Sequence, residues 1–341
     1  MREDIWGKLQ RLNRPLVLYG MGNGAEAMIR QLAKYGLAPS GFFASDDFVR
    51  GQSFLGFPVL TFSQAKERFP DMVVLVAFGT QRPEVIQNIL SLEAEVYAPE
   101  VPVAGNEVFT LAFARENRKA IEAAYALLAD DRSRRVFEEL IAYKLDGEIR
   151  HLLACESERD ELYALLSFHN RERYLDLGAY NGDTVLEFIQ QNREWESITA
   201  VEPDAKNFRK LMKNTAGIEN ITCIQAVAGD ACGIAHFSSF GGRNSRPGNG
   251  GQVPAITVDS LKKSFSFIKM DVEGGEAAVL QGARETIRND RPKMLVAAYH
   301  RSGDLFSLPL TVHRLNPNYK IYLRHQRYIP AWDTNYCFIE K

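Results

Sequence analysis

The sequence predicts an α/β protein with two Rossmann-like units joined by a helical linker. At both ends of the chain, short apolar runs alternate with segments of helical periodicity, whereas residues 106–166 show helical periodicity alone. Each half also carries a glycine-rich turn directly after an apolar run, as nucleotide-binding sheets do. We therefore expect a small parallel Rossmann-like domain over 1–105, a helical linker over 106–166 and a second α/β domain over 167–341.

Composition and charge limit the classes of partner. The chain of 341 residues is long enough for two domains, and its 45% hydrophobic and 25% charged residues are typical of globular proteins. A formal net charge of -2 without a long run of like charges gives no support to a nucleic-acid or membrane partner. The four cysteines lack a metal-like spacing, and neither a signal peptide nor a membrane-spanning stretch is evident. These features predict a cytoplasmic protein.

The first unit should contain four parallel strands with crossover helices. The predicted strands are Pro15–Tyr19, Gly41–Asp46, Val73–Phe78 and Glu95–Tyr97. Helices are expected over 1–13, up to Tyr35, over Ser63–Phe69 and after Pro83, because proline is tolerated in the first helical turn.

The glycine turn of this first unit fits a dinucleotide fingerprint. Gly20, Gly22 and Ala25 have the required spacing, and Asp46 lies 26 residues after Gly20. Since a lone fingerprint is weak, two interpretations stay open: a second nucleotide site, or a structural or substrate-presenting unit.

The linker and the second unit follow. Apolar residues at helical spacings, such as Phe109, Phe113, Leu140 and Tyr143, predict two or three linker helices.

The second unit should have seven strands, with a hairpin of Ala235–Phe237 and Ala255–Val258 inserted after the third. The glycine-rich tip of this hairpin, Ser239–Gly251, is interpreted either as a substrate lid or as a surface loop. The seven predicted strands are Tyr174–Leu177, Ile198–Val201, Ile221–Val227, Phe265–Met270, Lys293–Tyr299, Tyr319–Leu323 and Tyr336–Ile339.

The most informative motif opens the second unit. The strand Tyr174–Leu177 runs into the glycine-rich turn Gly178–Gly182, and a helix follows. Glycines at such a turn let a ligand approach the backbone closely. Glu202 ends the next apolar run, 24 positions after Gly178, where an acid accepts hydrogen bonds from ribose hydroxyls. The pair predicts a ligand that contains a ribose.

A second motif brings carboxylates to the same sheet edge. The apolar run Phe267–Met270 is followed by Asp271, Glu273, two glycines and Glu276. The strand places Asp271 and Glu273 at its carboxyl end, where open α/β sheets bind ligands. Asp271 is expected to orient a reacting group or to hold a metal, and Glu276 to favour the first turn of a helix.

Residues from about 171 to 341 resemble the FkbM family of S-adenosylmethionine-dependent methyltransferases. The resemblance rests on Asp176–Thr184, Val201–Pro203, Val258–Leu261 and Ile268–Glu276, the last with its trailing Leu280–Ala283. It implies a seven-stranded methyltransferase sheet with a reversed last strand and S-adenosylmethionine as the cofactor. The implied reaction is methyl transfer to an oxygen of a small molecule or glycan.

The resemblance also implies roles for individual residues. Asp176, Gly178 and Gly182 would surround the methionine part of the cofactor, Glu202 would bind the ribose, and Asp230 would approach the adenine. For Thr184 helix capping is the alternative, and for Asp230 a simple turn. The remaining cofactor-binding residues of the two motifs would be Ala179, Tyr180, Asp183, Thr184, Asp271 and Glu273.

His300 and Asp271 are the catalytic candidates. Many relatives carry Glu-x-His after the fifth strand, whereas this chain has Ala298-Tyr299-His300 and so lacks the acid. An ordinary histidine pKa near 6.5 would suit His300 as a general base, and a histidine packed at a strand end is the alternative. Arg301 and Asp304 follow on the same loop and are expected near the substrate. His325 and Trp332 either line the pocket or pack at a strand edge.

The sequence thus predicts an O-methyltransferase that uses S-adenosylmethionine to methylate a hydroxyl of a saccharide or other small metabolite. No metal ligands are assigned, since the carboxylates show no diagnostic spacing, and homo-oligomers are possible. Two alternatives are a nucleotide-sugar oxidoreductase and a non-catalytic nucleotide- or sugar-binding protein. The oxidoreductase is disfavoured because no Tyr-x-x-x-Lys pair follows the first glycine turn.

Overall fold

A computed structural model describes residues 3–238, 246–247 and 251–340, and it has the α/β fold that the sequence predicts. The first sheet has six strands in the order β3-β4-β2-β1-β5-β6, with all neighbours parallel except the β3–β4 pair. The inner strands β2, β1 and β5 are buried on both faces, as parallel strands covered by helices are. The six strands are β1 (Leu16–Tyr19), β2 (Gly41–Phe43), β3 (Ser53–Phe54), β4 (Phe57–Leu60), β5 (Val73–Val76) and β6 (Glu95–Tyr97).

The β3–β4 hairpin is absent from the sequence prediction. Its strands are short, Pro58 lies inside β4, and Leu55 and Gly56 form the turn with positive φ. Proline is typical of an edge position, and this hairpin forms the edge of the sheet. The helices of this unit are α1 (Ile5–Leu12), α2 (Asn23–Lys34), α3 (Phe62–Arg68) and α4 (Pro83–Leu90).

The linker forms five helices where two or three are predicted. The longest, α7, ends at Gly147, which adopts the left-handed conformation. Arg324 of the second sheet makes ion pairs with Asp130 (2.7 Å) and Glu161 (2.6 Å), so the linker packs on that sheet. The helices are α5 (Leu111–Glu116), α6 (Arg118–Ala126), α7 (Asp131–Asp146), α8 (Ile149–Cys155) and α9 (Arg159–Leu166).

The second half contains the seven-stranded sheet. Its seven strands are β7 (Arg173–Leu177), β8 (Ser197–Val201), β9 (Ile221–Ile224), β14 (Phe267–Met270), β15 (Lys293–Ala297), β16 (Tyr319–His325) and β17 (Thr334–Glu340). Between β9 and β14 an insertion forms the strands β10 (Val227–Ala228), β11 (Gly233–Ser238), β12 (Arg246–Pro247) and β13 (Gly251–Ile256). The order is β16-β17-β15-β14-β7-β8-β9, and β17 is antiparallel to both neighbours. The reversed last strand is confirmed. Helices α10 (Asp183–Gln191), α11 (Ala205–Asn214), α12 (Glu276–Gly282), α13 (Arg284–Asn289) and α14 (Asp304–Leu315) complete this half.

The inserted hairpin forms as predicted, with shifted bounds. β11 pairs with β13 in antiparallel register, so that Ala235 faces Val253. Within the tip that the sequence analysis interpreted as a lid or a surface loop, residues 239–245 and 248–250 lie outside the described residues. Among the helices that the structure describes, none is long and apolar enough to cross a lipid bilayer.

The two halves contact each other through both backbone and side chains. The Tyr143 hydroxyl donates to the Ala98 carbonyl (2.6 Å), and the buried Lys144 is ion-paired with the buried Glu100. The Ala104 amide donates to the His300 carbonyl (2.9 Å), so the segment after β6 reaches the carboxyl end of the second sheet. The first unit therefore helps to enclose the site described next.

Candidate active site

A cavity of about 890 Å³ lies at the edge of the second sheet where the parallel strands end. Residues that follow β7, β8, β14 and β15 line it, together with the turn between β16 and β17. Because β17 alone is reversed, the carboxyl ends of the other strands and this turn meet at one edge. Open α/β sheets bind ligands at that edge, so the cavity is the candidate active site.

Gly178 brings the two sequence motifs together. It has a φ of +79°, and a Cβ on it would lie 1.8 Å from the Asp271 carbonyl oxygen. No side chain fits at that distance, so only glycine lets the turn after β7 approach the turn after β14. The amides of Gly178 and Ala179 both donate to the Val201 carbonyl (3.0 Å each), which also ties this turn to β8.

A buried ion pair supports this turn from beneath. Lys269 Nζ lies 3.2 Å from Asp176 Oδ1 and donates to the Gly178 carbonyl at 3.2 Å. Burial alone would lower the pKa of Lys269, but the carboxylates of Asp176, Asp271 and Asp183 raise it above its usual value. Lys269 lines the cavity and was missed by the sequence analysis. The sequence feature that could have identified Lys269 is a cationic residue in the middle of an apolar strand.

Three predicted cofactor residues lie behind the cavity wall. Asp176, Ala179 and Gly182 are buried and are not among the lining residues. The Thr184 hydroxyl donates to Asp176, and Gly182 is the N-cap of α10. Asp176 and Gly182 thus support the wall from behind, and their predicted roles around the methionine part of the cofactor stay predictions. Capping of α10 by Thr184 is not observed.

The residues of the glycine turn that do line the cavity are Gly178, Tyr180, Asp183 and Thr184. Glu202 lines it as well and is 6% exposed. Its two carboxylate oxygens accept hydrogen bonds from the amides of Tyr180 (2.9 Å) and Asp204 (2.8 Å). Each oxygen keeps a further lone pair that can accept from a hydroxyl group.

Burial raises the pKa of Glu202 to about 7, although the two backbone N–H groups oppose this shift. The wall beside Glu202 is mainly apolar and consists of Pro203, Ala226, Val227 and Ala228. This combination of an acid and an apolar wall suits a ribose and an adenine ring. Asp230 is exposed and does not line the cavity, and its approach to the adenine stays a prediction.

His300 lies in the loop after β15 and is surrounded by carboxylates. Its Nδ1 is 2.9 Å from Glu276 Oε1, and its Nε2 is 3.3 Å from Asp271 Oδ1 and 3.7 Å from Glu273 Oε2. Burial opposes a charge on the ring, but Glu276, Asp271 and Glu273 raise the pKa of His300 to about 9. The imidazole therefore carries a proton at neutral pH. A general base with an ordinary pKa near 6.5, which the sequence predicts, is not what the structure provides.

Two neighbours fix this cluster. Glu276, at the start of α12, accepts hydrogen bonds at Oε1 from the amides of Val272 (2.9 Å) and Gly274 (3.3 Å), as a first-turn acid can. The Tyr299 hydroxyl donates to Asp271 Oδ1 (3.1 Å). Tyr299 was missed as a site residue, although it occupies the middle of the Ala298–His300 run where the sequence departs from its relatives.

The same cluster has the geometry of a cation site. Within the described part of the chain, Asp271, Glu276 and His300 offer ligand atoms within 4.8 Å of one another, as do Asp146, Glu148 and His151. The proton on His300 places a positive charge in the cluster with Asp271 and Glu276. The sequence assigned no metal ligands and left open whether a metal takes part, and that question stays open.

The other residues predicted near the substrate divide into two groups. Arg301 and Trp332 line the cavity, and Arg301 Nε donates to the Gly274 carbonyl at 2.7 Å. Asp304 and His325 do not line it. Asp304 accepts from the Arg301 amide (2.8 Å), whereas His325 contacts Thr334 Oγ1 (2.9 Å), and burial lowers the pKa of this histidine to about 3. His325 therefore packs inside the sheet.

The glycine turn of the first unit lies apart from this cavity. Gly20, Gly22 and Asp46 are not among its lining residues. Gly22 is the N-cap of α2, and Asp46 is an exposed residue at the start of a short 3-10 turn. Nucleotide binding by this turn stays a prediction.

Comparison with known proteins gives the family of the second unit. The model of the methyltransferase FkbM domain matches residues 176–328, which include the glycine turn, Glu202, Asp271 and His300. These residues are a methyltransferase FkbM domain. The enzyme is therefore an S-adenosylmethionine-dependent methyltransferase. No curated protein sequence matches the chain.

One solved structure of a methyltransferase shares the fold, and a second is similar to part of the chain. The crystal structure of methyltransferase FkbM from Methylobacillus flagellatus KT is 24% identical, has a TM-score of 0.72, and is matched over 99% of this chain and 91% of that chain. Precorrin-6y C5,15-methyltransferase from Geobacter metallireducens GS-15 is 11% identical, with a TM-score of 0.35, over 54% of this chain and 90% of that chain. The first match extends the similarity in fold to the N-terminal unit.

The site of this methyltransferase fits S-adenosylmethionine. Glu202 has lone pairs for two ribose hydroxyls, and the apolar wall suits an adenine ring. Carboxylates of Asp183, Asp271 and Glu273 line the cavity and favour a cationic sulfonium. These residues would hold the cofactor.

The raised pKa of Glu202 predicts a pH-dependent affinity for the cofactor product. Ribose hydroxyls donate to the ionised carboxylate, so binding should tighten as the pH rises through about 7. We expect the Kd for S-adenosylhomocysteine to fall about tenfold from pH 6 to pH 8, measured by titration calorimetry. Glu202→Gln should bind more weakly and without this dependence, whereas the exposed Glu196→Gln should behave like wild type. An unchanged pH dependence in Glu202→Gln would contradict this role.

The raised pKa of His300 predicts a pH-dependent stability. Because its folded-state pKa of about 9 exceeds an unfolded value near 6.5, its stabilisation is complete below pH 6.5 and is lost as the pH rises through 9. We expect the free energy of unfolding of wild type, minus that of His300→Gln, to fall by about 3 kcal/mol between pH 6 and pH 10.

Urea unfolding at each pH measures this difference. His313→Gln, a change in α14 outside the cavity, is the control. A wild-type minus His300→Gln difference that stays constant over this range would show that His300 is not charged by its neighbours.

Proposed function

We propose that the enzyme transfers the methyl group of S-adenosylmethionine to a hydroxyl of a saccharide or another small polar metabolite. The observation that carries the proposal is the position of Asp271 in the cavity, between the Tyr299 hydroxyl and the charged His300 ring. A small-molecule acceptor is supported by the size of the cavity, about 890 Å³, and by the net charge of -2, which does not favour binding to a nucleic acid.

Asp271 is the group that takes the proton from the acceptor hydroxyl in this proposal. Bound S-adenosylmethionine supplies an activated methyl group, so the protein mainly aligns the acceptor and removes one proton. The Tyr299 hydroxyl donates to Asp271 and fixes the direction of its carboxylate. His300 holds a proton on its ring and places one positive charge among the carboxylates of Asp271, Glu273 and Glu276.

The proposal is tested by the linkage in the methylated product. The protein is incubated with methyl-labelled S-adenosylmethionine and a fractionated small-molecule extract, and labelled products are analysed by mass spectrometry and NMR. We expect an O-methyl group on a polyhydroxylated compound. A product methylated on nitrogen or carbon, or a labelled macromolecule, would overturn the proposal.

Asp271→Asn should separate chemistry from binding. The amide cannot accept the proton as a carboxylate does, so we expect kcat to fall by roughly 10²- to 10⁴-fold. The Kd for S-adenosylhomocysteine should change by much less than kcat. Asp131→Asn, at an exposed position at the start of α7, is the matched control. An Asp271→Asn enzyme with near-normal kcat would remove Asp271 from the chemistry.

The charged His300 also predicts that the reaction needs no metal. Because the imidazolium already supplies a positive charge to the carboxylates around it, methyl transfer should proceed at an unchanged rate after treatment with EDTA. The rate is measured on protein that is dialysed against the chelator and then assayed with and without added Mg²⁺, Mn²⁺ or Zn²⁺. Loss of activity that an added ion restores would show that the cluster holds a metal instead.

A further inference from the structure

The cavity has a second end, opposite the ribose-binding Glu202. In the sheet, β8 lies on one side of the β7–β14 pair, whereas β16 and β17 lie on the other side. Three segments close this second end: the turn Gln326–Asp333 after β16, residues 156–158 between α8 and α9, and Gly79–Gln81 after β5. We call these segments the acceptor end.

Backbone hydrogen bonds fix the three segments to one another. The Ser157 amide donates to the His325 carbonyl (2.7 Å), and the Gln326 amide donates to the Asp333 carbonyl (3.0 Å). Thr80 and Ile329 exchange two such bonds, at 2.8 and 2.9 Å. The acceptor end is therefore a built part of the fold, and its side chains have defined positions.

Polar atoms at the acceptor end lack partners. Ser157 Oγ, both amide atoms of Gln326, and Trp332 Nε1 are buried and make no hydrogen bond to the part of the chain that the structure describes. Ser157 is 2% exposed and Gln326 is 5% exposed, and all three residues line the cavity. Buried polar groups in native proteins are nearly always paired, so a set of orphans in one cavity points to a ligand. The set offers donors and acceptors together, which suits hydroxyl groups.

An aromatic pair lies beside these polar groups. The rings of Tyr328 and Trp332 are 5.5 Å apart with an interplanar angle of 41°. A Cβ on Gly79 would lie 2.3 Å from Trp332 Cζ3, so the first unit packs directly against the indole ring. Aromatic rings beside a few placed polar groups are typical of small-molecule sites, and they suit the C–H faces of a sugar ring.

The charge of the cavity excludes an anionic ligand. Eight acidic side chains line it, namely Glu156, Glu158, Asp183, Glu187, Glu202, Asp271, Glu273 and Asp333. The lining also holds five cationic side chains: Arg159, Lys269, Arg301, Arg327 and the protonated His300, which is surrounded by carboxylates.

Each of these cations already has a partner on the protein. Arg159 is paired with Glu187 (2.7 Å) and Asp333 (3.2 Å), and Arg327 with Glu156 (2.6 Å). Lys269 is paired with Asp176, and Arg301 donates to a carbonyl, as described above. A phosphate or carboxylate on the ligand would therefore meet an excess of like charge, and among these cations only Arg301 makes no ion pair with a carboxylate of the described residues.

We propose that the acceptor end binds a saccharide without phosphate or carboxylate groups, through Gln326, Ser157 and Trp332. The proposal deepens the proposed function and rests on it. It predicts that neutral sugars are acceptors and that sugar phosphates, uronic acids and nucleotide sugars are not.

Substitution of Gln326 tests the subsite on the full-length protein. Gln326→Leu keeps the side-chain volume and removes the orphaned amide, so the variant should be at least as stable to urea as wild type. We expect its Kd for S-adenosylhomocysteine to stay within about threefold, while the KM for the acceptor rises about tenfold or more. Gln326→Asn should recover part of the loss. Gln190→Leu, at an exposed position on α10, is the matched control.

The probes are neutral methyl glycosides of common hexoses and the matching hexose 6-phosphates and uronic acids. Their binding is measured by saturation-transfer NMR in the presence of S-adenosylhomocysteine, and methyl transfer is measured with labelled S-adenosylmethionine. Binding of neutral probes that Gln326→Leu abolishes supports the subsite. Preferred binding of the anionic probes, no binding of any neutral probe, or an unchanged KM in Gln326→Leu overturns it.

Failure of the proposed function would give a different result from failure of the subsite. In that case wild-type protein would transfer label to an amine, a carbon or a macromolecule, whatever the Gln326 variants do. A wild-type enzyme that methylates hydroxyls of anionic sugars would keep the proposed function and overturn only the subsite.

Discussion

The contact between Gly178 and the Asp271 carbonyl is the constraint on which the active site depends. It joins the turns after β7 and β14, the two central strands of the sheet, and these turns carry residues that we propose to bind the cofactor and to accept the proton. The contact also covers the buried pair of Lys269 and Asp176. A side chain at position 178 would separate the turns and admit water to that pair. Disruption of a buried ion pair is strongly destabilising, because both charges have lost their hydration and depend on each other.

The distribution of charge around this contact suits the chemistry. The cations of the cavity wall are tied to carboxylates or carbonyls of the protein, so the surplus of charge that faces the cavity is negative. A sulfonium cofactor enters this field with a favourable charge, and it loses that charge when the methyl group leaves. The same field therefore favours the substrate form of the cofactor over the neutral product, which assists product release.

The sequence predicted the parts of the site that follow local rules. A strand, a glycine turn and a helix are encoded within about a dozen residues, so the turn at Gly178, the acid Glu202 and the carboxylate Asp271 could be located. The proton on His300 could not be predicted, because it depends on Glu276, which reaches the ring from the start of another helix. Ser157 and Gln326 were missed for a similar reason: they are far apart in the chain and meet only when α8 and α9 pack on β16.

The first unit contributes to the active site whether or not it binds a nucleotide. Its Gly79 packs against Trp332, and its Ala104 amide donates to the carbonyl of His300. The first unit therefore contacts both the acceptor end and the loop after β15. The glycine turn at Gly20 is not part of either contact. The similarity of fold to the Methylobacillus methyltransferase covers 99% of the chain and so includes this unit. A side chain at position 79 would occupy the space of an indole ring from the other half of the chain. No rule for strands, helices or turns predicts a glycine for that reason.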